Sequence, residues 1–306
     1  MNRESPSSSD RERAAASQAA AAPCSPVTVE EHTVSTRDGL RLFVRHLIPP
    51  KEQTARVLFF VHGACDHGGR SLEFAEFAAA QGWHVYLPDL RGHGLSGGTR
   101  VHVTSFAEYV ADLNQLFEHF RLPSGRTAVV GQSMGGLVSA RFAQTYPQRI
   151  AALVLLSPLL RLKLPVNPLT LLAGRLLALV APRTRFRSGI RSEDLTSDDS
   201  TRERSRQDPL LQKSVTAQWY LAAEQAMKDV HRDIDRIRCP LLLLQGGNDR
   251  IVDPAASRAW SRQVAHPDCT FEFFPEHRHE LLQEPDRLAI SQRILDWLEA
   301  RIPACD

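Results

Sequence analysis

Two stretches of this chain set a serine between glycines in the spacing Gly-x-Ser-x-Gly: Gly94-Leu95-Ser96-Gly97-Gly98 and Gly131-Gln132-Ser133-Met134-Gly135. A serine so placed can act as a nucleophile in acyl transfer when a buried strand runs directly into it and a helix leaves directly after it. The sharp turn between the two forces its hydroxyl outward. Thr127-Ala128-Val129-Val130 supplies that strand for Ser133, and 137–146 supplies the helix. Gly131, Gly135 and Gly136 allow close backbone approach at the turn. Ser96 has neither flank, since Thr99-Arg100-Val101-His102-Val103 lacks a helical period. Ser133 is the expected nucleophile and Ser96 the decoy.

A serine hydroxyl needs a base, and the base needs a third group to orient it. In the chain order Ser, acid, His, the acid should follow the apolar run 241–244. Asp249 sits there in Gln245-Gly246-Gly247-Asn248-Asp249, a Gly-rich turn just past a strand end. Asp253 is the alternative acid, although its place before Pro254 suits a helix cap. The base should follow the last strand, at Pro275-Glu276-His277-Arg278-His279. His279, directly before the final helical stretch, is the choice, and His277 is the alternative. Oxyanion donors are expected from the backbone N–H of Met134, directly after the nucleophile. The second is Ala64, in the loop His62-Gly63-Ala64-Cys65-Asp66-His67-Gly68-Gly69 after the strand 56–61.

These groups must be held by a scaffold that the apolar pattern reveals. Residues 30–34 and 40–46 alternate around Arg37-Asp38-Gly39 and read as a hairpin. The runs 56–61, 84–87, 127–130, 152–156 and 241–244 are short, apolar and rich in β-branched residues, as strands buried on both faces are. Helical stretches at 72–81, 106–120 and 136–146 separate them, and a strand at 270–274 and a helix at 290–300 close the chain. That alternation specifies an α/β fold with a mostly parallel sheet flanked by helices. It breaks over 159–231, a Leu-, Pro- and Arg-rich block with no strand of the sheet. The block reads as a helical cap inserted over the carboxyl edge, where such folds place their sites. The expected organisation is a disordered tail over 1–26, a core formed by 27–158 and 232–306, and the cap over 159–231.

Composition narrows the function classes. Of 306 residues 37 are basic and 35 acidic, so the formal charge of +2 gives no general attraction to nucleic acid. No run approaches the roughly 20 apolar residues of a membrane-spanning helix. Ala14 to Ala22 is too weakly apolar for a secretory signal. Cys24, Cys65, Cys239, Cys269 and Cys305 are odd in number and widely spaced, which argues against a zinc ribbon or a disulfide framework and for a reducing, cytoplasmic setting. Neither a metal nor a cofactor is required.

Taken together, His62-Gly63-Ala64, Asp89-Leu90-Arg91-Gly92-His93-Gly94-Leu95-Ser96, Gly131-Gln132-Ser133-Met134-Gly135-Gly136, Gln245-Gly246-Gly247-Asn248-Asp249 and His279-Glu280-Leu281-Leu282 resemble the α/β-hydrolase superfamily, and within it the monoacylglycerol lipase and lysophospholipase subgroup. The resemblance runs from about Val27 to the C-terminus. It implies an eight-stranded α/β-hydrolase fold, with nucleophile Ser133, acid Asp249, base His279 and oxyanion donors Ala64 and Met134. It makes 89–96 a structural loop and likens Asp208-Pro209-Leu210 to a cap motif. The chain departs from the subgroup at Gln132 (usually His), at Cys65-Asp66-His67 (usually Gly-Glu-His) and at Ser71 (often aromatic).

The resulting expectation is a serine carboxylester hydrolase acting on monoacyl lipids through an acyl-enzyme. The alternatives are a short-chain esterase, peptidase or perhydrolase on the same triad, and a catalytically silent binding protein. Basic residues and leucines crowd 159–191 with no acidic residue, a pattern that also suits peripheral membrane contact through the cap.

Overall fold

The structure, a computed structural model, describes residues 27–50, 56–163, 175, 177 and 180–304. The tail expected over 1–26 lies outside the described residues. The chain begins with the strands β1 (Thr28–Ser35) and β2 (Arg41–Ile48), an antiparallel hairpin whose turn passes through Gly39 at φ 79°. Then follow β3 (Val57–Val61), α1 (Leu72–Ala80), β4 (His84–Pro88), α2 (Ala107–His119), β5 (Thr127–Gln132), α3 (Met134–Thr145) and β6 (Ala152–Leu156). After the intervening segment come β9 (Leu241–Gly246), α7 (Pro254–Ser261), β10 (Cys269–Phe274) and α8 (Arg287–Glu299).

The sheet has eight strands in the order β1-β2-β4-β3-β5-β6-β9-β10. β1, β2 and β4 pair antiparallel in turn, and all later pairs are parallel. Successive side chains of a strand serve opposite faces. Thus Phe59, Val129, Leu153 and Leu243 pack under α2 and α3, while Phe60, Val130, Val154 and Leu244 pack under α1 and α8. Both faces are covered, which is why these strands read as continuous apolar runs rather than as alternation.

The strand order reverses at β3: β4 lies on one side of it and β5 on the other. A crevice opens at the carboxyl ends of strands flanking such a switch point, and both the His62–Gly69 loop and Ser133 leave the sheet there. The register Val61↔Gly131, Gln132↔Leu156, Leu156↔Leu244 and Gly246↔Phe274 brings the ends of β3, β5, β6, β9 and β10 to one edge.

Between β6 and β9 the described chain forms a two-stranded antiparallel ribbon, β7 (Arg185–Arg187) and β8 (Ser214–Thr216), with α4 (Ser192–Leu195), α5 (Asp199–Gln207) and α6 (Ala217–Arg232). The ribbon stands apart from the main sheet. Strands of three residues carry too little pattern to be read from sequence.

Two features amend the interfacial reading of 159–191. Leu159 and Leu160 are buried in the core, so neither faces a membrane. Arg161, Arg175 and Arg191 are held by Asp253, Glu224 and Asp194. Most of the other leucines of the segment lie outside the described residues. No helix among the described residues is long and apolar enough to cross a membrane.

Candidate active site

Ser133 occupies the turn between β5 and α3 with φ 55° and ψ −116°. Positive φ in a non-glycine residue costs energy and persists only where its surroundings impose it. The glycines show how. A Cβ on Gly131 would stand 2.5 Å from the Gly135 carbonyl oxygen, and a Cβ on Gly135 would run into the Val61 carbonyl. The helix therefore packs hard against β3 and β5, leaving the serine no relaxed alternative.

The three residues expected to form the triad meet at this edge. Ser133 Oγ donates to His279 Nε2 at 2.8 Å, and His279 Nδ1 donates to Asp249 Oδ2 at 2.7 Å. Asp249 also accepts from the Ile251 and Val252 amides at 2.8 and 3.0 Å and from Gln245 Nε2 at 3.1 Å. Burial would raise its carboxyl pKa, but His279 and these donors outweigh burial and hold it below the ordinary value. Burial likewise pushes the His279 imidazole down, and Asp249 with Glu280 more than restores it, so its pKa stands above the ordinary value.

The alternatives find other duties. Asp253 caps α7, accepting from the Ala255 amide at 2.9 Å, and binds Arg161. His277 pairs with Asp286 at 2.8 Å. Ser96 is buried, accepting from the Phe43 amide at 2.8 Å and donating to the Asp89 carbonyl. Asp89 in turn accepts from the Gly68 and Leu95 amides at 2.7 and 2.8 Å. His62 donates through Nδ1 to the Gly63 carbonyl and accepts at Nε2 from the Leu90 amide. The 89–96 loop is therefore a brace for the loop that carries Ala64.

Ala64 lines the same cavity as Ser133 and His279. Met134 is the first residue of α3, where an N–H has no acceptor within its own helix and the helix dipole favours negative charge. The cavity holds about 590 Å³, with Ile190, Leu195 and Leu211 contributed by the segment between β6 and β9. Cys65, next to Ala64, is buried, and its thiol is pushed up to about 12, so it stays protonated and inert at neutral pH.

Two of the three departures from the subgroup, Gln132 and His67, have specific contacts beside Ser133. Gln132 donates to the His279 carbonyl at 3.1 Å, which steadies the backbone of the candidate base. His67 donates to Asp208 Oδ2 at 2.9 Å and so fastens the segment between β6 and β9 to the loop that carries Ala64. Sequence reasoning missed Arg70. It binds Glu280 and Asp66 inside the cavity and reaches Ser205 Oγ at 3.2 Å, a set of partners that only the fold brings together.

Comparison with known proteins agrees with this architecture. Residues 52–286, more than half of the chain, match the family model described as serine aminopeptidase, S33. The chain is 31% identical to the monoglyceride lipase of Rattus norvegicus, over 87% of this chain and 89% of that protein. It is 29% identical to the phospholipase YtpA of Bacillus subtilis, over 77% and 92%. The crystal structure of the monoacylglycerol lipase of Paleococcus ferrophilus superposes with a TM-score of 0.77 at 24% identity, over 90% of this chain and 99% of that one. The chain belongs to the α/β-hydrolase superfamily, within the family of serine hydrolases that includes the monoglyceride lipases.

Proposed function

We propose that this protein cleaves the ester bond of monoacyl lipids through an acyl-enzyme on Ser133. The observation that carries the reading is the Ser133–His279–Asp249 chain of hydrogen bonds at the floor of a cavity to whose otherwise polar lining Ile190, Leu195 and Leu211 add an apolar patch. In this reading Ser133 Oγ attacks the ester carbonyl as its proton passes to His279 Nε2. Asp249 holds the imidazole with Nδ1 protonated and stabilises the imidazolium. The amides of Ala64 and Met134 receive the oxyanion. The alcohol leaves with the proton from His279. Water then attacks the acyl group under the same base, releasing a fatty acid and restoring Ser133.

The name of the matched family raises a second reading, removal of an amino-terminal residue from a peptide. That reaction needs a carboxylate free to hold the substrate's ammonium group. Both carboxylates that line the cavity, Asp66 and Glu280, are engaged by Arg70, which favours the ester.

Burying each chain methylene contributes about 0.8 kcal/mol, so kcat/KM over p-nitrophenyl esters should rise with acyl length. A maximum at acetate, falling above butyrate, would instead indicate a short-chain esterase. Peripheral contact with a membrane through 161–191 belongs to the same proposal. Flotation with vesicles tests it, and binding should grow with anionic lipid and weaken with salt.

A further inference from the structure

The outer corner of the sheet, away from Ser133, gathers three imidazoles and a carboxylate. Glu30 and His32 lie two residues apart on β1 and so face the same side. His46 of β2 stands directly opposite Glu30, and its ring stacks on Tyr86 of β4 with centroids 4.1 Å apart. His84, two residues before Tyr86 on the same strand, joins this face. One donor atom from each of Glu30, His32 and His46 lies within 4.8 Å of the other two.

His32 Nε2 is shielded from solvent and makes no hydrogen bond among the described residues, although Glu30 Oε2 lies only 3.3 Å from it. A buried polar atom left in that state calls for an explanation. Two donors that lie close without bonding to each other are arranged as ligands of a common ion. Tetrahedral zinc, with bonds of about 2.0–2.2 Å, holds its donors about 3.3–3.5 Å apart. His46 Nε2 and His84 Nδ1 share a hydrogen bond at 3.1 Å, which orients the His46 ring as the outer partners of metal-bound histidines do. Burial, with His84 and His32 alongside, lowers the His46 pKa to about 4, so its imidazole keeps a lone pair at neutral pH.

We propose that Glu30, His32 and His46 bind one divalent transition-metal ion, with two nitrogens and one carboxylate oxygen as ligands and water in the fourth position. Imidazole with carboxylate suits zinc. The role is structural. β1 is the outermost strand of the sheet and Val34 is its one buried residue, so little apolar burial holds it in place. An ion shared by β1 and β2 fastens the hairpin. His84 opens β4 at its amino end, whereas Ser133 follows the carboxyl end of β5, and both strands run parallel to β3. Cluster and triad therefore lie at opposite edges of the sheet, and the ion takes no part in the acyl transfer proposed for Ser133.

The test uses the full chain without a purification tag, stripped by a chelator and dialysed. Zn²⁺ is titrated in competition with a chromophoric chelator, and Co²⁺ is followed by its visible absorption. One Zn²⁺ should bind per chain with a Kd below about 1 μM. It should raise the thermal midpoint, as a ligand of the native state does, and Mg²⁺, which prefers six oxygens, should not. Co²⁺ should give the intense visible band of a four-coordinate site. His32→Gln and Glu30→Gln should each abolish that band and weaken zinc by more than about a hundredfold, and His84→Gln should weaken it by about 10–100-fold. Glu30 is exposed, so its variant keeps the test open should His32→Gln fail to fold, and p-nitrophenyl butyrate turnover reports folding in each. No saturable zinc binding by the wild type, or binding that Glu30→Gln retains in full, overturns the site. A loss of ester turnover on stripping the ion from the wild type overturns the structural role.

Discussion

Arg70 and Glu280 face each other as a two-pronged ion pair, Nη1 to Oε1 at 2.9 Å and Nη2 to Oε2 at 2.8 Å, one residue from the candidate base His279. Arg70 reaches Asp66 at 3.2 Å as well, so a single guanidinium serves two carboxylates beside the triad. Glu280 helps to raise the His279 pKa, and Arg70 offsets that field. The two residues should therefore act oppositely on the acid limb of the kcat/KM profile, which reports the free base. In the wild type the limb should lie above 6.5, the ordinary histidine value. Glu280→Gln should move it down, and Arg70→Gln, which leaves two carboxylates unmatched, should move it up. Arg70→Gln should also cost about 3–5 kcal/mol of stability, as breaking a buried pair does. Shifts in the same direction would show that the pair does not set the base.

Substitutions in the triad should separate chemistry from scaffold. Ser133→Ala should lose turnover by about 10⁶, and Asp249→Asn by about 10⁴. A fluorophosphonate probe should label the wild type and not Ser133→Ala. His277→Ala should stay near wild type, since the His277 ring meets Asp286 and Phe274 rather than Ser133. Ser96→Ala should keep its rate per folded molecule while losing about 1–3 kcal/mol, because the Phe43 amide loses its acceptor. EDTA should leave the rate unchanged. A collapse of activity in His277→Ala with His279→Ala intact would reassign the base.

Much of this arrangement is written in local sequence. The buried strands announce themselves as apolar runs, and Ser133 is separable from Ser96 because only one has a strand before it and a helix after it. Asp249 and His279 follow from the strand ends that precede them. What local pattern does not carry is pairing across the fold. Arg70 stands 210 positions before Glu280, and His67 stands 141 before Asp208. The eight-residue helix α7 also has too few turns to show a period, although Asp253-Pro254 marks its start.

Stability should fall in mild acid, through histidines that no catalytic step uses. Burial drives the His93 pKa down to about 3 and that of His46 to about 4, the latter aided by His84 and His32, and burial also lowers His62. Each is neutral when folded, whereas the unfolded chain takes up its proton near 6.5. Their contribution is therefore complete above about pH 6.5 and is lost as pH falls toward 4 and then 3. The slope is up to about 1.4 kcal/mol per pH unit for each fully buried imidazole. His279, with its raised pKa, acts in the opposite sense but is one group against three. Denaturant midpoints measured between pH 7 and 4 should drop steadily, and His93→Asn should flatten the decline. A midpoint constant over that range would mean that the histidines are protonated in the fold.

The clasp between His67 and Asp208 should govern long substrates more than short ones. His67 adjoins Asp66 in the loop that bears Ala64, and its ring is buried with Nε2 on Asp208 at 2.9 Å. Asp208 closes α5, whose Ser205 also meets Arg70, so the segment over the cavity is fastened at two adjacent points. An acetyl ester needs only the floor of the site, whereas a long chain needs the wall that this segment supplies. Asp208→Ala removes a hydrogen bond to a charged group, worth about 1.5–3 kcal/mol. It should raise KM for long-chain esters by about tenfold or more, with kcat/KM for p-nitrophenyl acetate within about twofold of wild type. Equal losses on both esters would instead place the effect on the oxyanion loop. In that case the amide of Ala64, rather than the wall above it, is what His67 holds in place.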